Sequence, residues 1–450
     1  MPKSVTQYIC NNCGATSSAW AGRCNVCGEW NSLEEQLVIR EDKRSAHAAH
    51  SKVLPTEAIN YAANHREARI SCGIMDIDNI LGGGIVPGSV ILIAGQPGIG
   101  KSTLLLQIAQ GLAQQATVLY ISGEESVHQV GVRAKRLEVA SDKIQLATST
   151  CADDIAETIN SGQFKVVIVD SIQTLSVNML TSAAGTISQI SSSAALIMAA
   201  AKSTNTAVIL AGHVTKEGNI AGPKVLEHVV DVVLQLEGDT YGGFKILRSS
   251  KNRYGSTTEA SMFEMTDKGL QVVANPSAAL LAERQISDGS IVLATLEGSR
   301  PLLVEVQALV NRTAFGYPKR TASGIDQNRV NLLTAVLEKR TKLQLSDKDI
   351  YLNIVGGIQL NDPAADLAVC LAIGSAAKGL CIQPNTVVFG EVGLSGEIRH
   401  VPFIEKRINE AKKMGFTIAV GPHPTTNSKI IGLSPVSDIR SALNKFLTKH

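Results

Sequence analysis

Five short runs of apolar, largely β-branched residues recur through the middle of the chain: SVILIAG ending at Gly95, TVLYIS at Ser122, KIQLAT at Thr148, KVVIVD at Asp170 and TAVILAG at Gly212. Most are apolar on both alternating faces, the pattern of strands covered from two sides. Between them lie helix-like stretches such as STLLLQIAQGLAQQ and SQISSSAALIMAAAKS. This alternation predicts a parallel sheet wound with helices, an α/β domain placed at 66–275. The segment NPSAALLAERQ reads as a connector, because Pro276 breaks the preceding strand pattern. A third domain, 276–450, mixes strands (SIVLATLEG, LLVEVQALV, DIYLNIVGG, NTVVFGEVG) with helices (QNRVNLLTAVLEKR, PAADLAVCLAIGSAAKG, IEKRINEAKKMG) in an α+β order.

The N-terminal end follows neither pattern. Residues 1–32 are rich in Gly and Cys, hold both tryptophans, Trp20 and Trp30, and are too few for a hydrophobic core. The indoles are expected to pack this small module, with a partner-facing role as the alternative. Residues 33–65 turn polar, with the run REDKR and three histidines among small residues, and read as a linker. A chain of 450 residues fits about three domains at roughly 150 residues each. With 44% hydrophobic and 18% charged residues and a net charge of +2, it is neither a disordered polyelectrolyte nor a basic coat for nucleic acid. Any contact with DNA has to come from local patches. The absence of an apolar run near the ~18 residues of a membrane span, and of an apolar leader, predicts a soluble, cytoplasmic chain without a membrane partner.

Eight cysteines split into two groups. Cys72, Cys151, Cys370 and Cys381 are scattered among apolar neighbours and read as core thiols. Cys10 and Cys13, then Cys24 and Cys27, form two C-x-x-C knuckles, each followed by glycine. Four soft thiolates in that arrangement suit a closed, structural Zn²⁺ site in a ribbon or knuckle, with a redox dithiol as the alternative.

Gly95, Gln96, Pro97, Gly98, Ile99, Gly100, Lys101, Ser102 and Thr103 match G-x4-G-K-[ST] between a strand and a helix-forming run. Backbone N–H groups would cradle the phosphates of ATP, Lys101 would bridge the β- and γ-phosphates, and Ser102 would ligate Mg²⁺. Asp170 ends a buried-type strand, as the second metal and water position requires. Glu124 and Glu125 end another, where either could be the general base or part of a solvated turn. His213 stands at the end of the last strand, as a γ-phosphate sensor or as a structural histidine. Lys216 and Lys224 lie in Gly-rich loops that could meet phosphates or could be ordinary loops. The run Lys251-Asn-Arg253-Tyr254-Gly255 fits both a trans-acting cationic finger and a surface charge patch. In the third domain NRTAFGYPKRTASGIDQNR interleaves Arg312, Lys319, Arg320 and Arg329 with aromatics, a candidate DNA contact with a solvated face as the alternative.

Taken together, the four-cysteine motif, SCGIMDIDNILGGGIVPGS, GQPGIGKST, YISGEES, VVIVDSIQTL, GHVTKEG and KNRYG resemble the bacterial RadA/Sms recombination and repair ATPases over essentially the whole chain. The family pentapeptide is KNRFG, so Tyr254 replaces Phe. The resemblance implies a RecA-like P-loop ATPase core with an N-terminal zinc ribbon and a C-terminal Lon-protease-like domain. It further implies a hexameric ring on single-stranded and branched DNA, a helicase driving branch migration with the RecA recombinase, and Lys251 and Arg253 acting across the subunit interface. Against the Lon-type Ser-Lys pair, Ala364 falls at the nucleophile and Glu405 at the lysine, with Lys406 one residue away. A methyl group cannot attack a carbonyl, so peptidase activity is not expected. A Lon-type protease and a nucleotide-dependent scaffold or timing ATPase are the competing functions.

Overall fold

The computed structural model describes residues 3–10, 13–40, 68–213, 225–238, 244–314, 316–424 and 432–449, which divide into two compact units. The first holds residues up to 237 with 247–257 and 265–271. The second holds 238–246, 258–264 and 272–450, so the chain passes between them more than once rather than at a single cut. Each is described separately.

In the N-terminal module, β1 (Lys3–Cys10) pairs antiparallel with β2 (Thr16–Ser17) and, along its full length, with β3 (Leu33–Arg40). The linker expected from 33 onward is therefore strand as far as Arg40, because β1 offers a ladder of backbone groups that β3 satisfies. The rest of the linker lies outside the described residues. The module's buried core is Cys10, Cys24 and Leu33. That cannot enclose an indole, and Trp20 and Trp30 are 61% and 69% exposed, contrary to the packing role expected of them. Trp30 instead has the Arg23 guanidinium 5.8 Å from its ring centroid.

The ATPase-like part of the first unit is built on β4 (Val90–Gly95), β5 (Val118–Ser122), β6 (Ile144–Thr148), β7 (Val166–Asp170), β8 (Ala207–His213) and β9 (Val232–Gly238), running in the order 9-4-8-7-5-6 with every pairing parallel. Strands β10 (Phe244–Asn252), β11 (Ala260–Thr266) and β12 (Gly269–Val272) extend that sheet beyond β9. The five apolar runs are these strands: β4, β5, β7 and β8 are buried almost throughout, while β6 at the sheet edge alternates. The crossovers are α1 (Lys101–Leu112), α2 (Val127–Arg136), α3 (Ala152–Asn160) and α4 (Ile187–Thr204). Ser126 starts α2 with a capping box closed by Gln129. Asn205 ends α4 in the left-handed conformation. Parallel pairing puts the carboxyl ends of β4, β5, β7 and β8 on one edge, and with them the chemistry-bearing residues.

The second unit is a seven-stranded sheet: β13 (Ser290–Glu297), β14 (Arg300–Arg312), β15 (Arg320–Ser323), β16 (Lys348–Ile354), β17 (Thr386–Val388), β18 (Ile418–Gly421) and β19 (Leu433–Pro435), in the order 15-16-14-13-17-18-19. Its central helix, Asp366–Lys378, is buried from Asp366 to Ser375, as its unbroken apolar sequence requires. The segment read as a connector is a short helix, Pro276–Leu281, whose N-terminus Asn275 caps by accepting from the Ala278 N–H, with proline where its missing N–H costs nothing.

The protease-like position is filled differently from the sequence expectation. Ala364 is fully buried in the turn Pro363–Ala365, which Asp362 caps at 3.0 Å. The cation that meets this turn is Arg407, whereas Glu405 and Lys406 face solvent. Arg407 is wholly buried, with Nη1 2.7 Å from Asp362 Oδ2 and 2.7 Å from the Ala294 carbonyl. Thr295 and Leu296 also donate to Asp362. Removing the cation leaves a largely buried carboxylate with neutral donors only, so Arg407→Met is expected to destabilise this unit by about 3–5 kcal/mol in urea denaturation. Arg407→Met with Asp362→Asn should recover part of the loss; equal stability of the single variant and wild type would contradict the assignment.

Candidate nucleotide site

The turn from β4 to α1 has the shape that phosphate requires. Ile99 is buried as its anchor, while Gln96, Pro97 and Gly98 stand out in solvent. Gly98 has φ +76° with open space where a Cβ would project, and Gly100 has φ +115° with Met265 Cε 2.7 Å from its would-be Cβ. Both positions favour glycine, and the first leaves the cradle unobstructed for an anion. Ser102 and Thr103 follow in the first turn of α1, partly exposed.

Lys101 is only 5% exposed. Its Nζ donates to the carbonyls of Gly95 at 2.9 Å and Gln96 at 3.0 Å, and lies 3.0 Å from His213 Nδ1. Burial pulls this ammonium down to about 8, against the opposing fields of Asp170 and Glu124. Since an ammonium only donates, Nδ1 accepts, and Nε2–H is left facing Glu124 Oε1 at 3.4 Å. Register makes this contact possible, because Gly95 at the end of β4 pairs with His213 at the end of β8.

The two acids after β5 are separated by their partners. Glu124 Oε1 accepts from Ser171 Oγ at 2.7 Å. Burial works against its charge, but the Ser171 hydrogen bond, His213 and Lys101 together hold its carboxyl below the usual range. Glu125 is bound by Arg133 of α2 at 2.5 Å. Asp170 accepts from the Tyr120 hydroxyl at 2.7 Å; burial and that carboxylate push the phenol up, keeping it a donor.

The basic pentapeptide closes β10. Lys251 Nζ donates to the carbonyls of Glu227 at 2.6 Å and Val230 at 2.8 Å, at the C-terminal end of the helix Val225–Val229. Burial and then Arg253 draw its ammonium downward. Arg253 Nη1 lies 3.5 Å from Asp231 while its side chain is 55% exposed. Asp231, nearly buried, also takes Lys202 at 2.6 Å and the Val90 N–H at 3.0 Å, and Lys202 reaches the Tyr254 hydroxyl at 3.4 Å. Asp231 and Lys202 were not singled out in the sequence. The lone carboxylate inside the apolar run VVDVVLQL was the available signal, since such a group needs partners.

Lys216 and Lys224 lie outside the described residues. Arg312 is exposed, with Asp347 at 3.9 Å; Lys319 is exposed and Arg320 half-buried. Arg329 is turned inward onto Asp366, with Nε 2.9 Å from Oδ1 and Nη2 on Oδ2. That hydrogen bonding raises its already high affinity for the proton.

In the ribbon, Sγ of Cys10, Cys13, Cys24 and Cys27 lie within 4.8 Å of one another, with Cys10–Cys27 and Cys13–Cys24 at 3.6 Å. A tetrahedron with Zn–S near 2.3 Å has edges of about 3.8 Å, so the donor set fits a Cys₄ zinc.

Comparison with known proteins agrees with this geometry. A family model described as an AAA domain matches residues 63–219, one described as a rubredoxin metal binding domain matches 8–35, and one described as subunit ChlI of Mg-chelatase matches 316–425. The DNA repair protein RadA of Listeria monocytogenes is 45% identical, covering 99% of each chain. Those of Halalkalibacterium halodurans and Escherichia coli are 44% and 41% identical, each over 97% of this chain and 98% of the relative. The chain belongs to the RadA family of DNA repair proteins. This RadA-family chain is thus an α/β protein with a RecA-like P-loop ATPase core that uses ATP and Mg²⁺, a structural-zinc ribbon and a C-terminal α+β Lon-like domain. Among the described residues no helix is long and apolar enough to cross a membrane.

Phosphates bind the charged form of Lys101. ATP affinity is therefore expected to be flat below a pH of about 8 and to fall above it by up to about tenfold per unit, with proton uptake on binding in that range. Calorimetry in buffers of different ionisation enthalpy reads this; affinity unchanged to a pH of about 10 would refute it. Cys13→Ala is expected to cut bound zinc to a small fraction of the wild-type content and to unfold the ribbon, measured by metal analysis and by protease sensitivity of residues 1–40.

Proposed function

We propose that this chain is a DNA-dependent ATPase that works as a ring-shaped translocase or branch-migration helicase during recombinational repair. The observation that carries the catalytic part is the chain Lys101–His213–Glu124 on one edge of a parallel sheet, beside an open phosphate cradle. In this reading, residues 95–103 bind the phosphates and Lys101 moves from its carbonyl partners to the β- and γ-oxygens. Ser102 and Asp170 would hold Mg²⁺, which when bound would neutralise phosphate charge. Glu124 is the base: it stays ionised, and Glu125 is occupied by Arg133. The water oxygen bonds to the γ-phosphorus, the bond to the β,γ-bridging oxygen breaks, ADP leaves, and the water proton passes to Glu124. His213, released by Lys101, reports the γ-phosphate.

The DNA part rests on the RadA relatives, described as DNA repair proteins. Lys251 and Arg253, anchored at Asp231 and at a helix end, would complete a neighbouring subunit's nucleotide site, so that ring assembly, six subunits in the family reading, and hydrolysis depend on each other. Arg312, Lys319 and Arg320 would meet DNA phosphates in the same assembly, as would Lys216 and Lys224. Single-stranded and branched DNA and the RecA recombinase are the partners this reading calls for.

The test is steady-state hydrolysis of ATP with and without single-stranded DNA. Wild type is expected to be stimulated, Lys101→Ala to lose hydrolysis by about 100-fold or more, and Lys251→Ala to lose the stimulation. A wild-type rate indifferent to DNA would overturn the translocase and favour a scaffold or timing ATPase.

A further inference from the structure

Strand β5 is buried from end to end, yet it carries a phenol. Leu119 and Ile121 share a core cluster with Val167 and Val169 of β7 and with apolar residues of α3 and α4. Tyr120, Ile168 and Asp170 alternate to the other face of the sheet. Register sets Tyr120 beside Ile168 and Ser122 beside Asp170, so the phenol starts two positions short of the carboxylate, about 6.6 Å of rise, on the face they share. Its ring covers that distance. The hydroxyl ends 2.7 Å from Asp170 Oδ2, at the edge that carries the phosphate cradle.

An ionised carboxylate only accepts, so the hydroxyl donates. Tyr120 is 1% exposed, and close packing leaves its ring no room to turn. Asp170 is different: it ends its strand only half-buried, on a side chain that rotates about two bonds. A donor fixed by packing therefore holds one oxygen of a carboxylate that the strand alone would not hold, which leaves Oδ1 for a metal ion or the water it carries. The other two acids of this edge have donors of their own, Ser171 for Glu124 and Arg133 for Glu125. Phenylalanine would fill the strand as well as tyrosine does, without a buried hydroxyl that costs stability unless it is bonded. The bond to Asp170 is what that hydroxyl makes. Donors behind a metal-binding carboxylate set its orientation, and their loss weakens the metal rather than the rest of the site.

We propose that Tyr120 is a positioning residue for the nucleotide's metal, its hydroxyl holding Asp170 in the orientation that meets Mg²⁺ or a water bound to it. The proposal rests on the reading that Asp170 holds Mg²⁺ and adds to it the group that aims the carboxylate.

The full chain is titrated with a non-hydrolysable ATP analogue by calorimetry, once in Mg²⁺ and once in EDTA, and the ratio of the two affinities is read. Tyr120→Phe, which keeps the ring, is expected to lower that ratio about 10- to 100-fold while its affinity in EDTA stays at the wild-type level. Asp170→Asn is expected to lower the ratio at least as far. The double variant should go no further than Asp170→Asn, because the hydroxyl acts only through that carboxylate. Thermal unfolding of each variant checks its fold. A ratio unchanged in Tyr120→Phe but lowered in Asp170→Asn would overturn the positioning role alone. So would an equal loss of affinity in Mg²⁺ and in EDTA, which would make the hydroxyl a part of the packing, and so would a further loss in the double variant. A ratio unchanged in Asp170→Asn would overturn both the role of Tyr120 and the assignment of Asp170 to the metal.

Discussion

A lysine ammonium held almost out of water sets the terms for the nucleotide site. Desolvating a cation costs several kcal/mol in a protein interior, roughly, unless partners replace its hydration. For Lys101 those partners are two carbonyls of its own loop and the imidazole of His213. The loop that must bind phosphate therefore satisfies its lysine internally until phosphate arrives. Because the acceptor on His213 is Nδ1, the opposite nitrogen carries the proton and faces Glu124. The lysine's position is thereby linked, through one ring, to the carboxylate of Glu124. The link exists only because β4 and β8 are parallel neighbours with Gly95 and His213 in register.

The opposite end of β4 meets a second buried charge. Asp231 accepts from the Val90 N–H where that strand begins, and shares its oxygens between Lys202 and Arg253. Burial disfavours the charge on Lys202, yet the hydrogen bond to Asp231 more than offsets it and raises the ammonium's pKa. If Arg253 left to meet an anion elsewhere, Lys202 would remain to neutralise the carboxylate. The arginine, at 3.5 Å against 2.6 Å for the lysine, is thus the more readily released of the two, and the Tyr254 hydroxyl lies within reach of Lys202.

The α/β core was legible because parallel strands buried on both faces must be written as apolar runs, and because G-x4-G-K-[ST] has few other uses between a strand and a helix. The Cys₄ cluster was legible for a similar reason, since two matched knuckles in a segment without a core have little else to hold them. The exposure of both tryptophans was not, because residue type says nothing of how small the enclosing core is. Nor were the different partners of Glu124 and Glu125 readable: Arg133 reaches Glu125 from the following helix, and Ser171, just past the end of β7, reaches Glu124. The strand at 33–40 was hidden by Glu34, Glu35 and Gln36 and by the polar, charged stretch after it, which together read as linker until the antiparallel partner is known.

Around Ala364 the polar contacts are structural. Asp362 and Asp366 flank it by two residues on either side, and each is neutralised by an arginine from a distant helix, Arg407 and Arg329. Both carboxylates also accept backbone N–H groups, from Leu296 and Val392. A serine placed at Ala364 would stand beside Asp362, whose cation is an arginine also bound to a carbonyl. Arginine keeps its proton at any pH a protein survives, so it could not serve as the base that a lysine can become when buried. What the two ion pairs do provide is a turn held to β13 and a central helix held to the helix Gln327–Thr341.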